Sequence, residues 1–264
     1  MGGVSRFRGN GEGRFFSHFL MAGHSKWANI RHRKAAVDAK KGKAFAKVSR
    51  EITVAARKGG TDPEFNFSLR SAIERAKEVN FPKEKIKSAI QASIEGAKNY
   101  DEILYEGMVS GVGILIEILT DNRNRAAADV REVFTKGGGA LSSPGSVAYQ
   151  FSRVGSLVVN ERCDEESIAE AFLEGDVEDY LSVVADENQT TILVPKEEIE
   201  RARIALEKHF SVLSADLIFH ATHEVAVNER TTERILSLLD KLDDLEDVHA
   251  LWTNLAIQGI LSAP

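Results

Sequence analysis

A chain of 264 residues with 43% hydrophobic and 28% charged side chains has the composition of a soluble globular protein, and its length predicts two or three domains. The single cysteine, Cys163, excludes an intrachain disulfide framework and a cysteine-rich zinc site, and it fits a reducing cytoplasm. The longest apolar runs, such as residues 113–119, are too short to cross a bilayer, which excludes a helical membrane span.

Residues 1–20 contain five glycines, three arginines and no helical period, and they read as a disordered leader outside the fold. A start assigned upstream of the true one, or a vector-derived leader, accounts for them most simply; a mitochondrial presequence is the alternative. The next stretch is the most biased in the chain. Residues 21–60 hold 11 Lys or Arg against two acids, Asp38 and Glu51. Cations this dense repel one another and usually have an anionic partner.

Residues 26–41 lack strand-like alternation and carry four alanines, which predicts a helix. Gly42 marks a break, and a second helix over 43–58 places Phe45, Val48, Ile52 and Ala55 at helical spacing before Gly59-Gly60 stop it. A third helix over 64–79 and a fourth from Pro82 to about Gln91 complete a helical bundle, with Phe45, Phe65, Phe67 and Phe81 as its core.

After Gly96 the chain changes character. Residues 105–119 read as one or two strands, and Thr120-Asp121-Asn122 offers cap oxygens to a helix over 123–136. Residues 146–151 and 157–160 suggest a hairpin turning at Arg153-Val154-Gly155. A helix over 164–174, strands over 180–185 and 190–194, and a helix over 196–209 follow. The last third predicts a strand over 215–227, a helix over 231–243 and a strand over 248–255. Residues 99–145 and 212–260 could close one sheet around an inserted unit of residues 146–211, which makes the middle domain discontinuous. Two consecutive independent domains are the alternative.

Charge divides the same way. Residues 21–99 carry 18 basic and 8 acidic side chains, a balance of +10, and residues 100–264 carry 13 and 31, a balance of −18. A basic module tethered to an acidic body can bind polyanions at one end only. The alternative is that two faces of opposite sign pair with each other.

The stretches AGHSKWANIRHRKAAVDAKKGKAF, EITVAARKGGTDPEFN, LTDNRNRAAADVR, GSVAYQF and LLDKLDDLEDVHALWTN resemble the YebC/PmpR family, from Met21 to about Gln258. That family includes putative bacterial transcriptional regulators and the mitochondrial translational activator of cytochrome c oxidase. The resemblance implies a three-domain α+β architecture, an N-terminal helical bundle followed by two sandwich-like α/β domains with the middle one discontinuous. It also implies nucleic-acid binding without catalysis. The chain departs from the family pattern at residues 108–113, where relatives usually have a Tyr-Gly-Pro-Gly-Gly run, and at residues 141–144, where Leu-Gly-Glu is usual.

The candidate nucleic-acid-binding residues are His24, Lys26, Trp27, Arg31, His32, Arg33, Lys34, Lys40, Lys41, Lys43 and Lys47 in the basic segment, with Arg123 and Arg125 as a second cluster. Positive charge in a first helical turn opposes the helix dipole. Either Asp121, Glu117 or Asp129 neutralises Arg123 and Arg125 locally, or they and the helix N-terminus form a phosphate site. The target is DNA, or RNA on the ribosome, since phosphate contacts carry little sequence information. A scaffold whose acidic body recruits basic partners such as ribosomal proteins is a further alternative.

Catalysis finds little support. No Walker loop, G-x-G-x-x-G, H-E-x-x-H or C-x-x-C pattern occurs. Strand alternation would put His220 and His223 on opposite faces, and the acids after Cys163 disfavour a thiolate. No cofactor or metal is expected, and no dimer-forming heptad is visible, so a monomer is expected.

Overall fold

The computed structural model describes residues 39–96 and 99–256. The fold is α+β. Helix α1 (Ala39–Gly59) is followed by α2 (Phe67–Glu78) and α3 (Lys83–Glu95) in one bundle. Val48, Ile52, Leu69, Ala72, Phe81 and Ile86 fill its core, and Phe45 meets Phe81 edge-on at a centroid distance of 5.0 Å.

Three details of this bundle differ from the sequence reading. Gly42 lies inside α1 rather than at a break. A single helical glycine costs only about 1 kcal/mol against alanine, and the Phe45–Val48–Ile52 row anchors the turns that follow. The helix expected from Glu64 starts instead at Phe67, because Asn66 is its cap: its Oδ1 accepts from the Leu69 N–H at 3.0 Å and its Nδ2 donates to the Ala55 carbonyl at 2.8 Å. Phe65 is thereby left in the preceding turn, 86% exposed, and is not a core residue. Phe67 leaves the bundle too and packs against the core of a different unit.

Strands β1 (Asp101–Val109) and β2 (Val112–Thr120) form a hairpin whose two-residue turn is Ser110-Gly111, at φ of 51° and 84°. Positive φ at both central positions suits the twist of the flanking strands. Then come α4 (Arg123–Lys136), β3 (Ala140–Leu141), β4 (Phe151–Val159), α5 (Glu165–Glu174), β5 (Ser182–Ala185), β6 (Thr190–Pro195) and α6 (Ile199–Glu207). The chain closes with β7 (Val212–Ala221), β8 (Val225–Ala226), α7 (Glu229–Asp243), β9 (Val248–Thr253) and β10 (Leu255–Ala256).

The expected hairpin at Arg153-Val154-Gly155 is one uninterrupted strand, β4. Gly155 is present for close approach, not for a turn: a Cβ there would stand 2.9 Å from Cβ of Ile199 at the start of α6.

Two antiparallel four-stranded sheets result, in the orders β3-β1-β2-β9 and β5-β6-β4-β7, with a short parallel pair β8-β10. Strand β9 from the chain's end lies beside β2, so the first sheet is built from both sides of the intervening segment. Strand β7, which the sequence reading grouped with residues 99–145, pairs with β4 in the second sheet. Helices α4 and α7 cover one face of the first sheet through Ile114, Ile116, Val130, Phe134, Leu238 and Leu242. Helices α5 and α6 cover one face of the second through Leu157, Ile168, Phe172, Ile192 and Leu206. The remaining faces meet each other over Leu115, Val154, Leu193, Ile218 and Trp252. Residues 112–119 are apolar at every position but Glu117 because β2 is buried on both sides.

Candidate nucleic-acid interface

Of the candidate residues, His24, Lys26, Trp27, Arg31, His32, Arg33 and Lys34 lie outside the described residues. Lys40 and Lys41 fall in the opening turn of α1 as described, which carries no acid. Lys43 and Lys47 follow on the same helix and are both engaged. The Lys43 Nζ donates to the carbonyl of Asp244 at 3.2 Å, and Lys47 Nζ contacts Asp243 through its carbonyl and, at 3.1 Å, its Oδ1. Arg50, one turn on, donates to the Glu246 carbonyl at 2.7 Å and pairs with Asp247 at 2.8 Å. These three cations thus hold the C-terminal end of α7 and the acidic turn after it. Carbonyls left over at a helix C-terminus, and its negative dipole end, favour such partners.

Further along the same junction Lys58 pairs with Glu102, and Arg75 bridges Glu51 of its own bundle and Asp216 of β7, the latter at 2.8 Å. The Ser71 hydroxyl donates to the Ala215 carbonyl at 3.1 Å. For these residues the two faces of opposite charge do pair with each other.

Arg123 and Arg125 open α4, capped by Asn122, whose Oδ1 accepts from the Arg125 N–H at 3.1 Å. The Arg123 guanidinium grips Asp101 with both ends, at 2.6 and 3.0 Å. Arg125 reaches Asp121 at 2.8 Å and Asp247 at 2.9 Å. The hydrogen bonds from these arginines hold the Asp101 and Asp121 carboxyls below the usual carboxylate range. Glu117 and Asp129 are not partners of either arginine. The carboxylates of Asp101 and Asp247 are, and the sequence carried no sign of either.

Asp247 joins what the sequence showed as two separate clusters. Buried at 6% exposure, it accepts from Arg50 of α1, from Arg125 of α4 and from the Thr120 hydroxyl. Lys43, Lys47 and Arg125 consequently border one turn, residues 243–247. A further cation belongs to this end of the bundle: Lys85 on α3, exposed, places its Nζ 5.5 Å from the centre of the Phe45 ring. Its neighbours Lys83 and Lys87 are exposed as well. The alternating KEKIK run was the available signal, and the acid at Glu84 masked it in a charge count.

Between the bundle and the two sheets lies a cleft of about 380 Å³, lined among others by Glu117, Arg153, Asp216, His249 and Trp252. Burial pushes the Glu117 carboxyl up, and Arg153 stands over the rings of Phe219 at 4.5 Å and Trp252 at 5.9 Å. Elsewhere, His223 falls beyond the end of β7, so strand alternation does not govern it as expected. Burial also pushes the Cys163 thiol up, away from thiolate character. Among the described residues no group of three or more His, Cys, Asp or Glu is placed to hold a metal ion, and no helix is long and apolar enough to cross a membrane.

Residues 25–95 match the TACO1/YebC protein N-terminal domain, and residues 100–255 match the TACO1/YebC second and third domain. The chain belongs to the TACO1/YebC family. A probable transcriptional regulatory protein of Persephonella marina is 45% identical over 241 residues, which is 89% of this chain and 95% of that one. One from Picosynechococcus is 45% identical over 244 residues, 90% and 97% of the two chains. A crystal structure of a conserved hypothetical protein from Aquifex aeolicus superposes with a TM-score of 0.77 at 38% identity, covering 90% of this chain and all of that one.

The stretches 108–113 and 141–144 are spatial neighbours. Met108 pairs with Ala140 and Gly107 with Leu141, so the β1–β2 turn and the loop after β3 share one end of the first sheet.

Proposed function

We propose that this protein is a non-enzymatic, cytoplasmic regulator of gene expression that binds nucleic acid, DNA in the first place, through the basic segment of its N-terminal unit. The observation that carries this reading is the concentration of 11 Lys or Arg in residues 21–60 of a chain whose body is acidic. The names of the relatives, probable transcriptional regulatory proteins, agree with it. Lys85, Lys83 and Lys87 extend the cationic surface from α1 onto α3.

A second reading of the same surface is a factor acting on messenger RNA or the ribosome. It is favoured by the absence of a sequence-reading element in the charge pattern, since lysines on phosphates grip any strand. Basic ribosomal proteins would then be suitable partners for the acidic body.

The test is binding of labelled duplex DNA and RNA at a series of salt concentrations. Replacing Lys26, Arg31, Arg33, Lys34, Lys40 and Lys41 with Gln weakens binding of all sequences alike. The log–log salt slope becomes shallower by up to ~0.9 for each duplex phosphate no longer neutralised, and by ~0.7 on a single strand. An unchanged slope in the folded variant removes the assignment. Crosslinking in cells, followed by sequencing of the bound strand, separates promoter DNA from messenger or ribosomal RNA.

A further inference from the structure

Lys43 and Lys47 are drawn toward two anions at once. On the proposed function they belong to the nucleic-acid surface; in the folded chain they are held by Asp243 and Asp244. The turn Asp243-Asp244-Leu245-Glu246-Asp247 presents four carboxylates, and α7 adds its last carbonyls. A run of anionic oxygens facing lysines and an arginine is the chemistry that a phosphate backbone offers. Lys47, Arg50, Leu119, Glu246 and Asp247 come together around this contact.

The bundle is built to come away. It has its own apolar core of Val48, Ile52, Leu69, Ala72, Ala76, Phe81, Ile86 and Ala89. Among the described residues its attachments to the body are chiefly polar: Lys43, Lys47, Arg50, Lys58 and Arg75 on oxygens, and Ser71 on a carbonyl. Among the described residues of the bundle, Phe67 packs against a core of the body. The more exposed of these contacts, those of Lys43 and Lys58, are weak and screened by salt, whereas the buried Arg50–Asp247 pair is the junction's firmest point.

Resting on the nucleic-acid reading, we infer that the acidic turn at residues 243–247 is an internal competitor for the phosphate-binding face of α1. While the turn holds Lys43, Lys47 and Arg50, the face is partly masked. Nucleic acid displaces the turn, and the bundle swings off the sheets. The apparent affinity is then the intrinsic one reduced by the fraction of molecules already open.

The experiment uses the full chain and the pair Asp243→Asn with Glu246→Gln, leaving the buried Asp247 in place. A charge-matched control carries Glu229→Gln and Glu233→Gln, exposed residues near the opposite end of α7. Affinity is read with a short fluorescein-labelled duplex and an RNA strand of the same length. Opening is read as the distance between spin labels at Ser88→Cys on α3 and Ser237→Cys on α7, Cys163 being buried.

The paired variant is expected to bind roughly three- to thirtyfold tighter than the control, the scale of one or two partly exposed ion pairs. Its label distance lengthens without nucleic acid, and that of the wild type lengthens when the probe is added. Tight binding with an unchanged distance, and no advantage over the control, overturns the competitor and leaves nucleic-acid binding standing. Failure of every variant to bind either probe overturns both.

Discussion

Asp247 receives two guanidinium groups and a hydroxyl while only 6% exposed, and Arg50, one of its partners, is itself buried. A carboxylate so placed matters less for the energy its pairs add than for the cost of leaving their partners alone in a poorly solvated site. Asp247→Asn is expected to lower stability by about 3 kcal/mol, measured by urea unfolding, because Arg50 keeps its charge, loses its buried carboxylate and retains only that of the exposed Glu246. Arg125→Gln is expected to cost only ~0–1 kcal/mol: that side chain is half exposed, and Asp247 retains Arg50. The contrast separates the buried arm of the cluster from the exposed one. If Arg125 also serves nucleic acid, its loss appears in binding and leaves melting nearly unchanged.

At the scale of elements, one side chain of β1 organises a whole loop. The Glu106 carboxylate, 5% exposed, accepts from the backbone N–H groups of Gly145, Val147 and Ala148, the last two at 2.6 and 2.8 Å. Burial pushes this carboxyl up, but the three donors outweigh it and hold it below its ordinary value of 4.5. A carboxyl lowered in the folded state adds stability above the ordinary value and loses it as pH falls through the folded one. Glu106→Gln is therefore expected to cost about 1–3 kcal/mol at neutral pH, the scale of an unsatisfied buried donor. The difference from wild type should begin to shrink below pH 4.5 and vanish only once pH has fallen through the lower folded value, where both carry a neutral side chain. Urea midpoints at neutral and acid pH check it, and a gap that persists in acid contradicts the charge-based account. The loop so fixed leads directly into Tyr149, 75% exposed.

For the whole molecule, the apolar cores of the described residues are unequally connected. The two sheets share a core over Leu115, Val154, Leu193, Ile218 and Trp252, which ties their unfolding together. The bundle joins them chiefly through ion pairs. Amide hydrogen exchange is expected to show α1 and α2 opening at lower free energy than β2 and β4. Raising the salt concentration should reduce protection in the bundle and leave the strands unchanged, since apolar contacts are not screened. Equal loss of protection in both would mean that the bundle and the sheets unfold as one unit.

The order of most helices and strands, the cap of α4 and the opposition of a basic end to an acidic body were legible in the residues alone. Those are local or additive properties: a periodicity, a cap residue beside its helix, a sum of charges. Where the local signal failed, a distant partner had intervened. Gly155 signals a turn by residue type, yet it serves the close approach of Ile199, and Phe67 has the spacing of bundle core, yet it packs against the core beneath α5 and α6. The candidate site divides in the same way. Its cations could be named from composition, but the anions that hold them could not, for Glu246 lies 196 residues from Arg50 and Asp247 lies 122 from Arg125. Charge is counted along the chain, whereas ion pairing depends on a separation of a few ångströms in space, and only the tertiary structure brought α1, α4 and the turn after α7 to one carboxylate.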